Sequence, residues 1–458
     1  MEKPWAVILA AGAGTRMNSS LPKVLHRLCG KPLLWHVLAA AQEVTDKQVI
    51  VTGFGEEQVR DYFGEKYLYV RQDRQLGTGH ALQKALPYLP DQGEVLVLCG
   101  DTPLLEGTTL GGLITHHRKN KAAATVLTAV LEDPAGYGRV IRDPSGRVEK
   151  IVEELDADEK QKAVREINTG SYCFDLGPLK KLLPNLPINS QKGEYYLTDL
   201  IPMLLGAGLQ VEGYRAGEPS FALGINDHVQ LSEAAAVMRR RINEKLMRSG
   251  VAMIDPASVY IDAGVEVARD TVIYPQTILE GETKVGEGCR LGPGSHLVDT
   301  VVESGVVCRQ SVVMESRLSE GAQVGPFANI RPGSLIGPGV KIGDFVEVKN
   351  SSIGRGSKVP HLSYVGDANI GSGVNMGAGC IVVNYDGKKK HRTVIEEGAF
   401  IGCNSNLVAP LTVGKGAFIG AGSTITRNVP ADALSISRSR QENRDGLARK
   451  FLGNKEEK

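Results

Sequence analysis

The stretch IDAGVEVARDTVIYPQTILEGETKVGEGCRLGPGSHL, residues 261–297, decides the fold of the C-terminal half. Stepping by six from Ile261 lands on Val267, Ile273, Leu279, Val285, Leu291 and Leu297, all aliphatic. Neither a helix nor an alternating strand has that period. A hexapeptide repeat predicts a parallel β-helix. Each short strand points one aliphatic side chain into a prism, and a glycine beside it turns the corner. Stacked coils then lie ~4.8 Å apart, joined by backbone hydrogen bonds. One coil cannot bury its own core, so many must stack. The spacing leaves the hand of the coil open.

The pattern continues outward. A second run starts at Val306 and reads Val312, Leu318, Val324, Ile330, Ile336, Ile342 and Val348. The phase slips by one to Ile353, Val359 and Val365, and again to Ile370, Met376 and Val382. A last run is Ile401, Leu407, Val413, Ile419 and Ile425. The insertion NYDGKKKHR, residues 384–392, interrupts it, and insertions in repeat proteins often build a binding face.

Residues 1–226 follow other rules. Apolar runs such as AVILAAG (6–12), QVIVTG (48–53) and EVLVLCGD (94–101) alternate with helix-like segments. Buried strands alternating with helices predict a mostly parallel sheet covered on both faces. From Asp227 to Arg248 the chain is strongly helical, with Leu231, Met238, Ile242 and Leu246 on one face. The expected fold class is α/β: a Rossmann-like N-terminal domain over 1–226, a helical linker over 227–250, and a β-helix over 251–458. Its polar, basic tail begins near Ser435.

Composition narrows the function. With 458 residues, two or three domains of about 150 residues are expected. Glycine is abundant at 54 residues and aromatics are only 5%. A net charge of +1 offers no polycationic surface for nucleic acid or acidic lipid. Apolar runs fall far short of the ~20 residues of a membrane helix. Met1–Trp5 lead straight into a core strand, without the segments of a secretory leader. Seven cysteines without a CxxC pair argue against a disulfide framework or a zinc ribbon. A reducing, cytoplasmic compartment is expected.

Chemistry concentrates in two places. Strand AVILAAG is followed by Gly12, Gly14, Arg16 and Lys23. Glycines after a first buried strand let backbone N–H groups approach phosphate, and the two cations neutralise its charge. No GxxxxGK[ST] is present, and Met17 stands where a dinucleotide fingerprint wants a third glycine. Gln72 and QLGTGHA (75–81) make a second glycine loop. Asp101 closes a strand at the carboxyl edge where open α/β sheets bind ligands. An acid there suits Mg²⁺, and a helix N-cap is the other use of that aspartate. In the β-helix half, Arg331 and Lys349 fall one coil apart. Two stacked cations call for an anion, and phosphate is the natural one. His361 is a base for neutral pH, and Glu347 is expected to orient it.

The segments LAAGAGTRMNSSLPKVLH, QLGTGHA, LCGDTPLL, GYGRV and INTGSYCF make the N-terminal half resemble the sugar-nucleotide pyrophosphorylases. With HLSYVGD and NYDG in the hexapeptide half, nearly the whole chain is similar to the bifunctional bacterial N-acetylglucosamine-1-phosphate uridyltransferase/glucosamine-1-phosphate N-acetyltransferase family. The resemblance implies a left-handed β-helix, packed as a homotrimer. It implies two reactions: acetyl transfer from acetyl-CoA to glucosamine-1-phosphate, then uridylyl transfer from UTP, with Mg²⁺. The product would feed peptidoglycan and lipopolysaccharide synthesis. By resemblance, Leu9, Ala10, Ala11 and Gly12 line the base and phosphate region. Gln72, Gly77 and Thr78 contact uracil, and Arg16 and Lys23 face the triphosphate. Gly138, Glu153, Asn168 and Thr169 hold the sugar. Asp101 and Asn226 hold the metal, with an N-cap as the second use of Asn226.

In the other half the resemblance assigns Arg331, Lys349, Tyr364 and Asn375 to glucosamine-1-phosphate and His361 to catalysis. Asn384, Tyr385, Lys390, Cys403, Ala421 and Arg438 fall to acetyl-CoA. Some members carry serine at the place of Cys403, and a thiol is the weaker donor. Two alternatives stand beside this reading. One is a nucleotidyltransferase whose β-helix serves only assembly or regulation, against which His361, Tyr364 and NYDG weigh. The other is a non-enzymatic scaffold, against which Lys23, Asp101 and His361 weigh.

Overall fold

A computed structural model describes residues 2–189, 193–217 and 219–452. The end of the expected C-terminal tail, 453–458, lies outside them. The chain forms two compact units, Met1–Arg241 and Ile242–Lys458.

The first unit is built on one sheet. Its strands are β1 (Trp5–Ala10), β2 (Gln48–Thr52), β3 (Leu68–Arg71), β4 (Glu94–Cys99), β5 (Ala124–Val130), β6 (Arg139–Arg142), β7 (Val148–Val152), β8 (Glu166–Asp175) and β9 (Val211–Arg215). The order is β9-β5-β8-β4-β1-β2-β3, with the β6–β7 hairpin attached to β8. All neighbours along that path are parallel except β8, which runs antiparallel to both β4 and β5. Val7, Ile8, Val49, Ile50, Val95 and Leu96 are completely buried. A strand apolar on both faces must be covered on both, and helices do so here. β1 and β4 end at Ala10 and Cys99, so the loops that follow them emerge side by side at the carboxyl edge.

The second unit is a prism of three parallel sheets with 11, 10 and 9 strands. Each strand pairs with the one a coil later. Asn329 opposite Glu347 gives a coil of 18 residues, and His296 opposite Val312 gives one of 16. The NYDGKKKHR insertion stretches one coil to 25, Ala368 opposite Thr393. The strict six-residue count of the second run is corrected in its first steps. The inward side chains after Leu297 are Val302, Cys308 and Val313, with Val312 only half-buried. Shorter corners at Asp299–Thr300, Gln310–Ser311 and Glu315–Ser316 account for this, because their positive-φ Asp299, Gln310 and Glu315 turn the chain early. From Leu318 to Val348 the inward positions fall on the expected count. Each fully buried aliphatic contributes roughly 1.5–3 kcal/mol. Corner hydroxyls satisfy backbone carbonyls, as Thr271 does to Gly286 at 2.9 Å.

The expected separate linker is absorbed by both units. Helix His228–Arg248 carries Ala234, Leu231 and Met238 into a cluster with Leu28, Leu33, Leu104 and Ile225. Its last turns, with Ile242 and Leu246, pack on the prism core. Buried Asn243 donates to the Pro256 and Val259 carbonyls at 2.8 and 3.1 Å, closing the first coil. One amphipathic stripe thus serves two cores, and the division falls inside the helix.

Candidate functional site

In the first unit the loop after β1 curls back over Lys23. Gly14 has φ +63, and a Cβ there would lie 2.5 Å from the Cβ of Lys23. Only glycine allows so close an approach. Lys23 Nζ forms an ion pair with Asp101 and donates to Asn226 Oδ1 at 3.2 Å. Arg16 donates to the same Asn226 oxygen at 2.8 Å. The Ile225 N–H donates to the Asp101 carbonyl at 3.0 Å, so the chain before Asn226 is tied to the end of β4. Asn226 is not the helix cap. That task falls to Asp227, which accepts from the Gln230 N–H at 2.9 Å. The Asn226 side chain is left for the charged cluster.

A cavity of about 270 Å³ opens beside this cluster. Leu9, Ala10, Ala11, Gly12, Lys23, Gln72, Gly77, Thr78 and Asp101 line it, as expected. Gln75 and Cys99, which lie inside QLGTGHA and LCGDTPLL, line it as well, and so does Glu194, to which no motif pointed. Gln72 is 3% exposed. Its amide lies 3.0 Å from the Gly77 carbonyl and 3.1 Å from His80 Nδ1, which fixes the second glycine loop. The Thr78 hydroxyl accepts from the Leu197 N–H at 3.2 Å.

Gly138, Glu153 and Asn168 also come together. The Asn168 N–H donates to the Gly138 carbonyl at 2.8 Å, and a Cβ on Gly138 would lie 3.4 Å from Glu153. Glu153 accepts from Thr198 at 3.0 Å. Asn168 donates to the Tyr172 hydroxyl at 2.7 Å, across a register shift in β8. Tyr172 and Thr198 were not legible as site residues. Thr169 is corrected: its hydroxyl is spent on the Leu127 carbonyl at 2.9 Å and is buried. Burial, with the Asp101 carboxylate second, pushes the Cys99 thiol up to about 12. Burial and then Glu153 raise the Tyr172 phenol well above its ordinary range.

Two oxygen donors, Asp101 Oδ2 and Asn226 Oδ1, converge on a single ammonium. This donor set fits a hard divalent cation, which takes oxygen from one or two protein groups and the rest from phosphate and water. Among the described residues there is no cluster of three or more His, Cys, Asp or Glu able to hold a metal by itself.

In the second unit Arg331, Lys349 and Tyr364 lie on one sheet of the prism, with Ile330 opposite Val348 and Glu347 opposite Tyr364. Lys390 from the insertion faces Lys349. Its charge, ahead of burial and Arg331, holds the Lys349 ammonium below its ordinary range. Three cations thus face one patch. Lys390, carried over as a coenzyme A contact, belongs with Lys349 here. Asn384 donates to Asp367 at 2.5 Å and lies 3.5 Å from the Tyr364 hydroxyl. The exposed Tyr385 donates to the Gly387 carbonyl at 2.7 Å and shapes the insertion.

His361 is open to solvent, its side chain 56% exposed. Its orienting partner is corrected. Glu347 is taken by Arg331 at 2.8 Å, whereas Asp344, one coil before His361, meets its Nδ1 at 2.5 Å. Asn375 is also displaced from expectation. It sits on another sheet, opposite Lys358 and Phe400, away from Arg331, Lys349 and Tyr364 within one chain. Cys403, Ala421 and Arg438 do come together: Arg438 donates to the Ala421 carbonyl at 2.9 Å, and the Gly422 N–H to the Cys403 carbonyl at 2.8 Å.

Comparison with known proteins agrees with both halves. Residues 6–168 match the MobA-like NTP transferase domain, and residues 392–427 match the bacterial transferase hexapeptide repeat. The chain is 53% identical to the bifunctional protein GlmU of Geobacillus sp. (strain WCH70), covering 97% of each. It is 52% identical to that of Heliobacterium modesticaldum, over 99% of each. It is 53% identical to that of Brevibacillus brevis, over 98% of each. The chain belongs to the bifunctional GlmU family. GlmU membership covers both units, so a nucleotidyltransferase and a left-handed β-helix acyltransferase share one chain.

Proposed function

We propose that the chain makes UDP-N-acetylglucosamine by two reactions at two separate sites. Family membership supports this reading, and one geometric observation carries it to residues. Each unit gathers cations at a place where a phosphate would sit, and the prism adds an exposed imidazole joined to a carboxylate.

At the prism site Arg331, Lys349 and Lys390 hold the phosphate of glucosamine-1-phosphate. The sugar amine attacks the thioester carbonyl of acetyl-CoA, a C–N bond forms, and the C–S bond breaks. His361 takes the amine proton and returns it to the departing CoA sulfur. Asp344 holds the imidazole with its proton on Nδ1, leaving Nε2 to act as base. Cys403, Ala421 and Arg438 face the coenzyme.

At the first site a phosphate oxygen of N-acetylglucosamine-1-phosphate attacks the α-phosphorus of UTP, and pyrophosphate leaves. Such transfers need positioning and charge neutralisation more than covalent help. Lys23 and Arg16 supply positive charge to the phosphates, while Gly138, Glu153 and Asn168 hold the sugar. Mg²⁺, held by Asp101 and Asn226, would neutralise charge on the reacting phosphates.

Assembly as a homotrimer is supported by the ridge of Phe327, Phe345 and Leu362, more than half exposed on the prism. A cytoplasmic location is supported by the buried thiols of Cys173, Cys289, Cys308 and Cys380, none of which is joined in a disulfide. Among the described residues no helix is long and apolar enough to cross a membrane.

The test follows both half reactions separately. Lys23→Ala should lower pyrophosphate release by about 100-fold or more and leave CoA release unchanged. His361→Ala should do the reverse. If both activities fall together in folded protein, the two-site reading is wrong. Absence of UTP-dependent pyrophosphate release would remove the nucleotidyltransferase reading.

A further inference from the structure

One buried imidazole connects the two segments that carry Lys23 and Asn226. His26 is 8% exposed. It follows the single turn Lys23–Leu25, and its N–H donates to the Lys23 carbonyl at 3.2 Å. Its ring lies against the backbone of Leu21, on the other side of Lys23. The ring also meets His228 edge to face, centroids 5.4 Å apart at 77°. His228 opens the long helix just after Asn226. His26 Nε2 is buried without a hydrogen-bond partner. An apolar ring would fill the same space without that cost. The imidazole therefore calls for a reason beyond filling, and its edge-to-face contact with His228 supplies one.

We propose that His26 is a positioning residue for uridylyl transfer, tying the turn that carries Lys23 to the segment that carries Asn226. The lysine ammonium is thereby held beside Asp101 and Asn226. This rests on the reading of Lys23 and Asn226 as groups that face phosphate and metal.

The experiment is a double-mutant cycle in the full chain with Lys23→Ala, His26→Ala and both. Misplacing a catalytic group by about 1 Å can cost ~100-fold. His26→Ala should therefore lower kcat for uridylyl transfer by about 10- to 100-fold. KM for N-acetylglucosamine-1-phosphate should stay within about twofold, because Gly138, Glu153 and Asn168 lie on other segments. Acetyl transfer should not change. In the Lys23→Ala background, His26→Ala should add no further loss. A wild-type kcat, a loss that multiplies with that of Lys23→Ala, or a loss that only tracks the folded fraction overturns the positioning role. Lys23→Ala at full rate overturns the reading beneath it instead. If His26→Ala fails to fold, His26→Gln, which keeps a polar side chain of similar reach, enters the same cycle with the same criterion of non-additivity.

Discussion

Asp344 and His361 stand opposite each other in one parallel ladder, and their side chains meet, Oδ1 to Nδ1, at 2.5 Å. The hydrogen bond from His361 holds the Asp344 carboxyl below the usual carboxylate range. An ionised carboxylate accepts only, so the proton between them belongs to Nδ1. The free Nε2 lone pair then points away from its orienting partner. An asparagine at 344 can present its NH₂ to Nδ1, which drives the proton to Nε2 and removes the base. Asp344→Asn should lower kcat for acetyl transfer on the order of 100-fold, measured as CoA thiol release, with pyrophosphate release unaltered. A rate near wild type would take Asp344 out of the mechanism.

The patch of Arg331, Lys349 and Lys390 carries a pH signature. Lys390 beside Lys349 disfavours a second ammonium, so Lys349 loses its proton at lower pH than an ordinary lysine. Attraction for a sugar phosphate weakens as that charge is lost. KM for glucosamine-1-phosphate should therefore climb on the alkaline side, beginning below the ordinary lysine value of about 10.4. Lys390→Ala removes the largest cause and should move the climb to higher pH, while raising KM several-fold at neutral pH. An alkaline limb that stays in place would show that the two lysines do not share a ligand.

Much of this was legible from spacing alone. A six-residue period and a coil near eighteen residues suffice to place Arg331 over Lys349 and to leave His361 on a corner. The same arithmetic, applied with a coil of seventeen, puts Asp344 under His361. Glu347 is taken by Arg331 instead, because strand register chooses the partner. The five-residue corners near Asp299, Gln310 and Glu315 were hidden because Val312 and Val313 are both aliphatic, and either satisfies a hydrophobic count. Asn375 falls on another sheet because strand position, not residue type, assigns the face. In the first unit the glycine loops were readable, as glycine marks close approach. Thr198 and Glu194 were not, because they meet Glu153 and the cavity only through chain crossings far apart in sequence; Tyr172, four residues from Asn168, was hidden because the register shift inside its own strand brings it onto that amide.

Tyr172 makes this local contact testable. Its hydroxyl accepts the Asn168 amide at 2.7 Å inside a buried site. Tyr172→Phe keeps the ring and deletes the acceptor. A hydrogen bond of this kind is worth about 1 kcal/mol, so KM for N-acetylglucosamine-1-phosphate should rise roughly fivefold with kcat little changed. Acetyl transfer should be untouched. If KM for UTP rises instead, Asn168 serves the nucleotide and its assignment to the sugar is wrong.

The cysteines sort by burial, and their reactivity reports on the acetyl-CoA site. Burial pushes Cys99 and Cys308 up to about 12 and drives Cys173 higher than an ordinary thiol. Thiolate is the reactive form, so these three stay inert near pH 8 while the fold is intact. Cys403 is exposed, and its carbonyl accepts from Gly422, next to the Ala421 that Arg438 contacts. Iodoacetamide should label Cys403 first, read by peptide mass spectrometry, and acetyl-CoA should slow that labelling. Cys403→Ser should keep acetyl transfer, because it restores the stronger hydroxyl donor at that place. Labelling that ignores acetyl-CoA would separate Cys403, and with it the neighbouring Ala421 and Arg438, from the coenzyme.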